Sequence, residues 1–212
     1  MSARYGGATD FGFTDVAQAF HAHWRSDGSD VEVLTVYITG NPAWLAESIL
    51  LDTLRLETAG LPTWQIAALW SVATHPFHDL RREGHEGSDW LRRIIRLCQD
   101  RLQTDGAAAV ESAQPSPYGH LTGAVLDEIL LASQGITEGS LRAFGGYVPG
   151  IAPALNDVAA KVCSDLAFRL LLRALDKVGP RISREQFDRY AALGKRFAYD
   201  ADVVGYYDYR SS

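Results

Sequence analysis

The chain has 212 residues, 47% of them hydrophobic and 22% charged, with a net charge of −6 and a pI near 5.5. That length makes one large domain or two small ones, and in one core it buries roughly 70% of its unfolded surface. The acidic balance argues against non-specific nucleic-acid binding, which needs a basic surface, and suits a basic protein partner.

Helical periodicity dominates, in chain order. Thr14 can cap a helix running to about Trp24, with Val16, Phe20 and His23 on one side and His21 facing solvent. The polar turn RSDGSD follows. Asp27, Gly28, Ser29, Asp30 and Glu32 match a calcium loop in composition but not in spacing, so they read as a turn. The β-branched run 31–39, VEVLTVYIT, predicts a strand, paired with Val203–Tyr209 if that segment is extended.

Asn41-Pro42 starts a largely buried helix over 43–58, which Gly60 stops. From Thr58 to His78 there is no Asp, Glu, Lys or Arg. Pro62 opens an uncharged helix there and Pro76 ends it, with Leu69 and Trp70 expected at the centre of the core. The uninterrupted apolar part is shorter than the roughly 20 residues a membrane span requires, so no membrane association is expected.

Ser88 caps the next helix, where Leu91, Ile94, Ile95, Cys98 and Leu102 keep helical spacing. Residues 105–119 read as a surface loop or linker, and a helix from Leu121 ends at Gly135. After FGGYVPG, the longest helix is predicted over Pro153–Val178 with the stripe Leu155, Val158, Val162, Leu166 and Leu170. Ser183 and Gln186 make a capping box for the last helix, to about Phe197. The fold class is mainly α: a single compact domain over 1–212 with about seven or eight helices, and a short two-stranded element if 31–39 finds its partner.

Cys98 and Cys163 lie among apolar neighbours and read as reduced core residues, and MSARYGGATDFGF has no signal-peptide layout. The expected compartment is the cytoplasm.

Chemistry-bearing residues gather where the uncharged helix meets the returning charge. His75, His78 and His85, with Asp79, Glu83 and Glu86, are donor types that suit a divalent metal. Pro76 separates the first two histidines, and the spacing is not HExxH. The reading without a metal has His75 capping the last carbonyls of the buried helix, with His78 and His85 in a loop. That reading, with no cofactor, is preferred.

The dipeptide His78-Asp79 resembles the signature of the HD phosphohydrolase superfamily. That resemblance implies an all-helical metal-dependent hydrolase. His78 and Asp79 would form its centre, His21 or His23 the upstream histidine, and Asp89 or Asp100 the downstream aspartate.

No GxSxG, phosphate-binding glycine loop or exposed reactive cysteine is present. The alternative to the hydrolase is a protein-binding module. A small acidic domain without a catalytic motif is similar, in composition only, to the immunity and antitoxin-like proteins that neutralise a basic partner. The tail supplies a contact surface for that reading: Tyr206, Tyr207, Asp208 and Tyr209 mix aromatic area with negative charge. Of the two, the binder is the favoured reading and an enzyme the second.

Overall fold

The computed structural model describes residues 9–74, 77–107, 110, 112–144 and 150–205. Over these the chain is mainly helical, with no strand among the described residues. A short helix α1 (Gly12–Val16) leads into a 3-10 turn, Ala17–Ala19, and after a break at Phe20 comes a second such turn, Trp24–Ser26. The expected continuous helix from Thr14 to Trp24 therefore does not form. The Thr14 hydroxyl donates to Asp10 Oδ1 at 2.6 Å instead of capping a helix. His21 and His23 are both exposed, so His23 does not pack as expected.

The run 31–39 is helix, not strand. It lies in α2 (Asp30–Gly40), and the reason is local. The Ser29 side chain accepts from Glu32 N, while the Ser29 N–H donates to the Glu32 carboxylate at 2.7 Å. This reciprocal cap satisfies two orphan donors, and acids in the first turn complement the helix dipole. Val33, Leu34 and Ile38 then bury one face, which outweighs a β-branched penalty of about 0.7 kcal/mol or less per residue. The proposed strand partner begins in a short helix, α10 (Ala201–Gly205).

Helix α3 (Ala43–Thr58) starts after Pro42, and the Asn41 amide donates back to the Tyr37 carbonyl instead of capping. The uncharged segment forms α4 (Thr63–Thr74), where every residue from Gln65 to Thr74 is buried. Leu69 and Trp70 are fully enclosed, as the composition predicts. Helix α5 (Gly87–Thr104) begins just before Ser88, with Glu86 at its N-cap. Its buried face is Leu91, Ile94, Ile95, Cys98 and Leu102, as the spacing predicts.

Helix α6 (Thr122–Ala143) runs through Gly135. That glycine is a contact point rather than a stop. A Cβ there would lie 2.5 Å from Pro180, and one at Gly139 would lie 1.4 Å from the Val178 carbonyl oxygen. The two glycines let α6 approach the turn at 178–180 closely.

The long helix predicted over 153–178 is broken. Helix α7 (Ile151–Asp157) passes into a π turn at Val158–Val162, and Cys163 is extended. Helix α8 (Ser164–Lys177) then restarts, with Cys163 Sγ accepting from Leu166 N. The restart lets α8 run through the middle of the molecule: every residue from Ser164 to Leu175 is buried. Helix α9 (Arg184–Arg196) carries the Ser183–Gln186 capping box as predicted. Apolar side chains from Phe11 to Val204 form a contiguous core around α4 and α8. No helix among the described residues is long and apolar enough to cross a membrane.

Candidate functional site

The loop that joins α4 to α5 carries the histidines, and bonds to the 24–25 segment and within the loop pin it. Trp24 Nε1–H donates to the Phe77 carbonyl at 2.7 Å and Arg25 pairs with Glu83, while inside the loop His85 N–H donates to the Leu80 carbonyl. His75 lies outside the described residues. His78 turns inward and is fully enclosed by Phe20, Trp24, Trp70 and Trp90.

The hydrogen bonds decide the protonation of His78. Trp70 Nε1–H donates to His78 Nδ1 at 2.8 Å, so Nδ1 bears the lone pair and the proton sits on Nε2. Nε2 faces Asp30 Oδ2 across 3.5 Å, and the same oxygen meets His85 Nε2 at 2.5 Å. His85 stacks on Trp90 with ring centroids 5.1 Å apart and keeps part of its side chain in solvent. The result is a polar chain from the core to the surface: Trp70, His78, Asp30, His85.

Burial pushes the His78 imidazole down to about 4, against the opposing pull of Asp30 and Glu83. Burial also works against ionisation of Asp30. The hydrogen bonds and charges of His85 and His78 outweigh it and hold the carboxyl below its usual range. Asp30 also sits in the first turn of α2, where the helix dipole favours a carboxylate.

The two halves of the His78-Asp79 dipeptide point to different partners. Asp79 accepts from Arg81 N, Nε and Nη2 at 3.1–3.2 Å, and Arg82 Nε lies 3.8 Å from its Oδ2. Burial would raise its carboxyl, but these guanidinium contacts hold it below the usual range. Of the other residues the HD pattern would use, His21 pairs with Asp27 and Asp89 with Arg92. Among the described residues no three His, Cys, Asp or Glu side chains are placed to hold a metal ion together. A cavity of about 270 Å³ beside the loop is lined by Asp79, Arg81, Arg82 and Phe144, with neither histidine in its wall. The Asp30–His85 pair has the form of an oriented acid–base couple, but it does not open onto that cavity.

A second polar cluster lies inside the core and was missed from sequence. Arg169 and Arg173, both on α8, are buried. Arg169 donates to the Phe11 carbonyl at 2.7 Å and to Asp52 Oδ2 at 2.8 Å, with Asp165 at 3.7 Å. Arg173 donates to Asp10 Oδ2 at 2.5 Å and to the Thr14 carbonyl at 3.1 Å. Asp52 also accepts from Phe13 N–H, and Ser48 Oγ from Gly12 N–H. Together these groups strap residues 10–14 onto α3 and α8. Gly12 has φ +67°, and a Cβ on it would run into the Asp52 carboxylate, so the strap accepts only glycine there. Nearby, burial and then the charge of Asp10 raise the Asp15 carboxyl to about 7, against a hydrogen bond from the Tyr37 hydroxyl.

The surface offers a third feature. Leu130 and Leu131 on α6 are 72% and 64% exposed, and Leu141, three turns on, is 41% exposed. With Asp127, Gln134 and Glu138 they form an outward stripe about 21 Å long at 1.5 Å per residue. Tyr206, Tyr207, Asp208 and Tyr209, the contact residues expected from sequence, lie outside the described residues. Val203 and Val204, just before them, are buried, so the start of the tail belongs to the core.

Comparison with protein-family models, with curated proteins and with solved structures found no match for the chain.

Proposed function

We propose that the protein is a binding module that acts by contact with a partner protein through the outer face of α6. The observation that carries this reading is the exposed leucine stripe. Three large apolar side chains on one solvent-facing helix stripe cost solvation unless a partner covers them. The fitting occupant is an amphipathic helix with basic flanks. Its apolar side would cover Leu130, Leu131 and Leu141, and its cations would meet Asp127, Glu138 and the net negative chain. The residues around His78 support the loop in this reading and carry no turnover.

The test is photo-crosslinking from position 131 in the native cell, with partner identification by mass spectrometry, followed by titration of the purified pair. Leu130→Ser with Leu131→Ser is expected to leave helicity and melting intact while weakening the pair at least tenfold. Affinity of the wild type is expected to fall as salt rises. A partner that binds the double variant unchanged would refute the α6 face.

A further inference from the structure

The outer stripe of α6 carries unbalanced charge at both ends, and the two ends are opposite in sign. Asp127 stands toward its start and Arg142 in its last turn. Both are exposed, and neither pairs with another side chain among the described residues. They are separated by roughly 22 Å along the helix axis, so they cannot meet within one chain. At 3.6 residues per turn, Asp127, Leu130, Gln134, Leu141 and Arg142 fall within about a third of the helix circumference. The apolar area and both charges therefore face the same way.

This face is its own complement under a two-fold rotation. An axis crossing α6 at the level of Gly135 sets a second copy of the helix antiparallel to the first. Leu130 then lies opposite Leu141 of the second copy, and Asp127 opposite its Arg142, each within about 1.5 Å of level. The rotation repeats both contacts on the other side of the axis. Next to the axis stands Gln134, which is uncharged and whose Nε2 donates to Glu138 Oε1 at 2.9 Å. No like charges are forced together at the centre. A parallel pairing would instead set Asp127 against Asp127 and Arg142 against Arg142, so the charges select the antiparallel one.

We infer that the α6 faces of two copies of the free chain pair antiparallel, and that this homodimer parts before another partner takes the face. The inference rests on the reading of α6 as a contact face and adds what covers it when that partner is absent. One helix pair buries less than the roughly 1,200–2,000 Å² of a stable interface, and the charge of −6 on each copy opposes association. The dimer is therefore weak, with Kd on the order of 10–100 μM, which leaves it open to displacement.

The experiment is sedimentation equilibrium of the full chain over about 5–500 μM, which brackets that Kd. A monomer–dimer equilibrium is expected for the wild type. Asp127→Arg and Arg142→Asp each set like charges opposite and should weaken the dimer about fivefold or more, with circular dichroism unchanged. An equimolar mixture of these two variants makes every opposed pair opposite in sign again, and should associate about as tightly as the wild type. Leu130→Ser with Leu131→Ser should leave a monomer. A wild type that stays monomeric, a dimer indifferent to the charge variants, or a mixture that fails to restore association would each overturn the inference. A monomeric chain that still captures another protein from position 131 would overturn the dimer and leave the α6 reading standing. Capture of the chain's own copy alone would do the reverse.

Discussion

His78 shows how much one proton position can decide. Its ring is sealed among four aromatic side chains, and its Nδ1 is committed to the Trp70 N–H. A second proton has no place to go without breaking that bond. The imidazole stays neutral in the folded protein down to about 4, while in the unfolded chain it charges near 6.5. Between those values the unfolded state binds more protons, so stability is full above about 6.5 and falls as the pH drops toward 4. Asp30, whose carboxyl is lowered, loses its share only at more acid pH. Asp15 acts in the opposite sense, because its raised carboxyl loses stability as the pH rises through about 7. The difference between wild type and His78→Gln isolates the histidine. Urea unfolding at pH 7.5 and 4.5 is expected to show the wild type losing roughly 2–3 kcal/mol more than the variant. Equal losses would mean that His78 takes up its proton inside the fold.

Elements were legible where periodicity and a stop signal agreed. Helices α3, α4, α5 and α9 follow from apolar spacing bounded by proline, glycine or a capping box. Helix α2 was not, because its β-branched composition and its Ser29–Glu32 cap point to different structures, and the cap with a buried face prevails. The break at Cys163 was invisible because 153–178 keeps a helical stripe on both sides of it. Gly135 was misread as a stop for the same kind of reason: a glycine's need for contact looks like a glycine's need for a turn. That distinction is measurable. At an exposed helix position Gly→Ala stabilises by up to about 1 kcal/mol. Gly139→Ala, with its Cβ driven against the Val178 carbonyl, is expected instead to destabilise by roughly 2–4 kcal/mol, read by denaturant midpoint.

At the scale of the whole molecule, the core is legible as a place but not as a chemistry. The uncharged stretch located α4 correctly, with Trp70 at its centre. Nothing in the linear pattern announced that a second central helix, α8, would carry two buried arginines. The nearest signal is their spacing of four inside an otherwise apolar run, which puts Arg169 and Arg173 on one face. Asp165 stands at i,i+4 to Arg169 on the same helix, but Asp10 and Asp52 come from two distant segments, and that convergence is a property of the fold alone. Asp30 was hidden in the same way behind a turn-like composition. The tail follows this logic too, since Val203 and Val204 belong to the core although the residues after them read as polar and aromatic. Extending a deletion of 206–212 back to residue 202 is therefore expected to cost roughly 2–4 kcal/mol beyond the shorter deletion, by thermal or urea melts of the two proteins. Equal stability of the two would show that α10 is dispensable to the core.

The strap at residues 10–14 also sets a clock. Asp10 bonds to Arg173, which lies 163 positions later, and the Phe11 carbonyl to Arg169, 158 positions later. At about 5–20 residues per second, a ribosome that has made Asp10 needs on the order of 10 to 30 s to deliver its partner. Throughout that interval the first segment waits, and so does Asp52 on α3. The core cannot seal from the N-terminus forward, however favourable the early helices are. Closure waits until α8 has left the exit tunnel and can slide its two cations under a strap made more than 150 residues earlier.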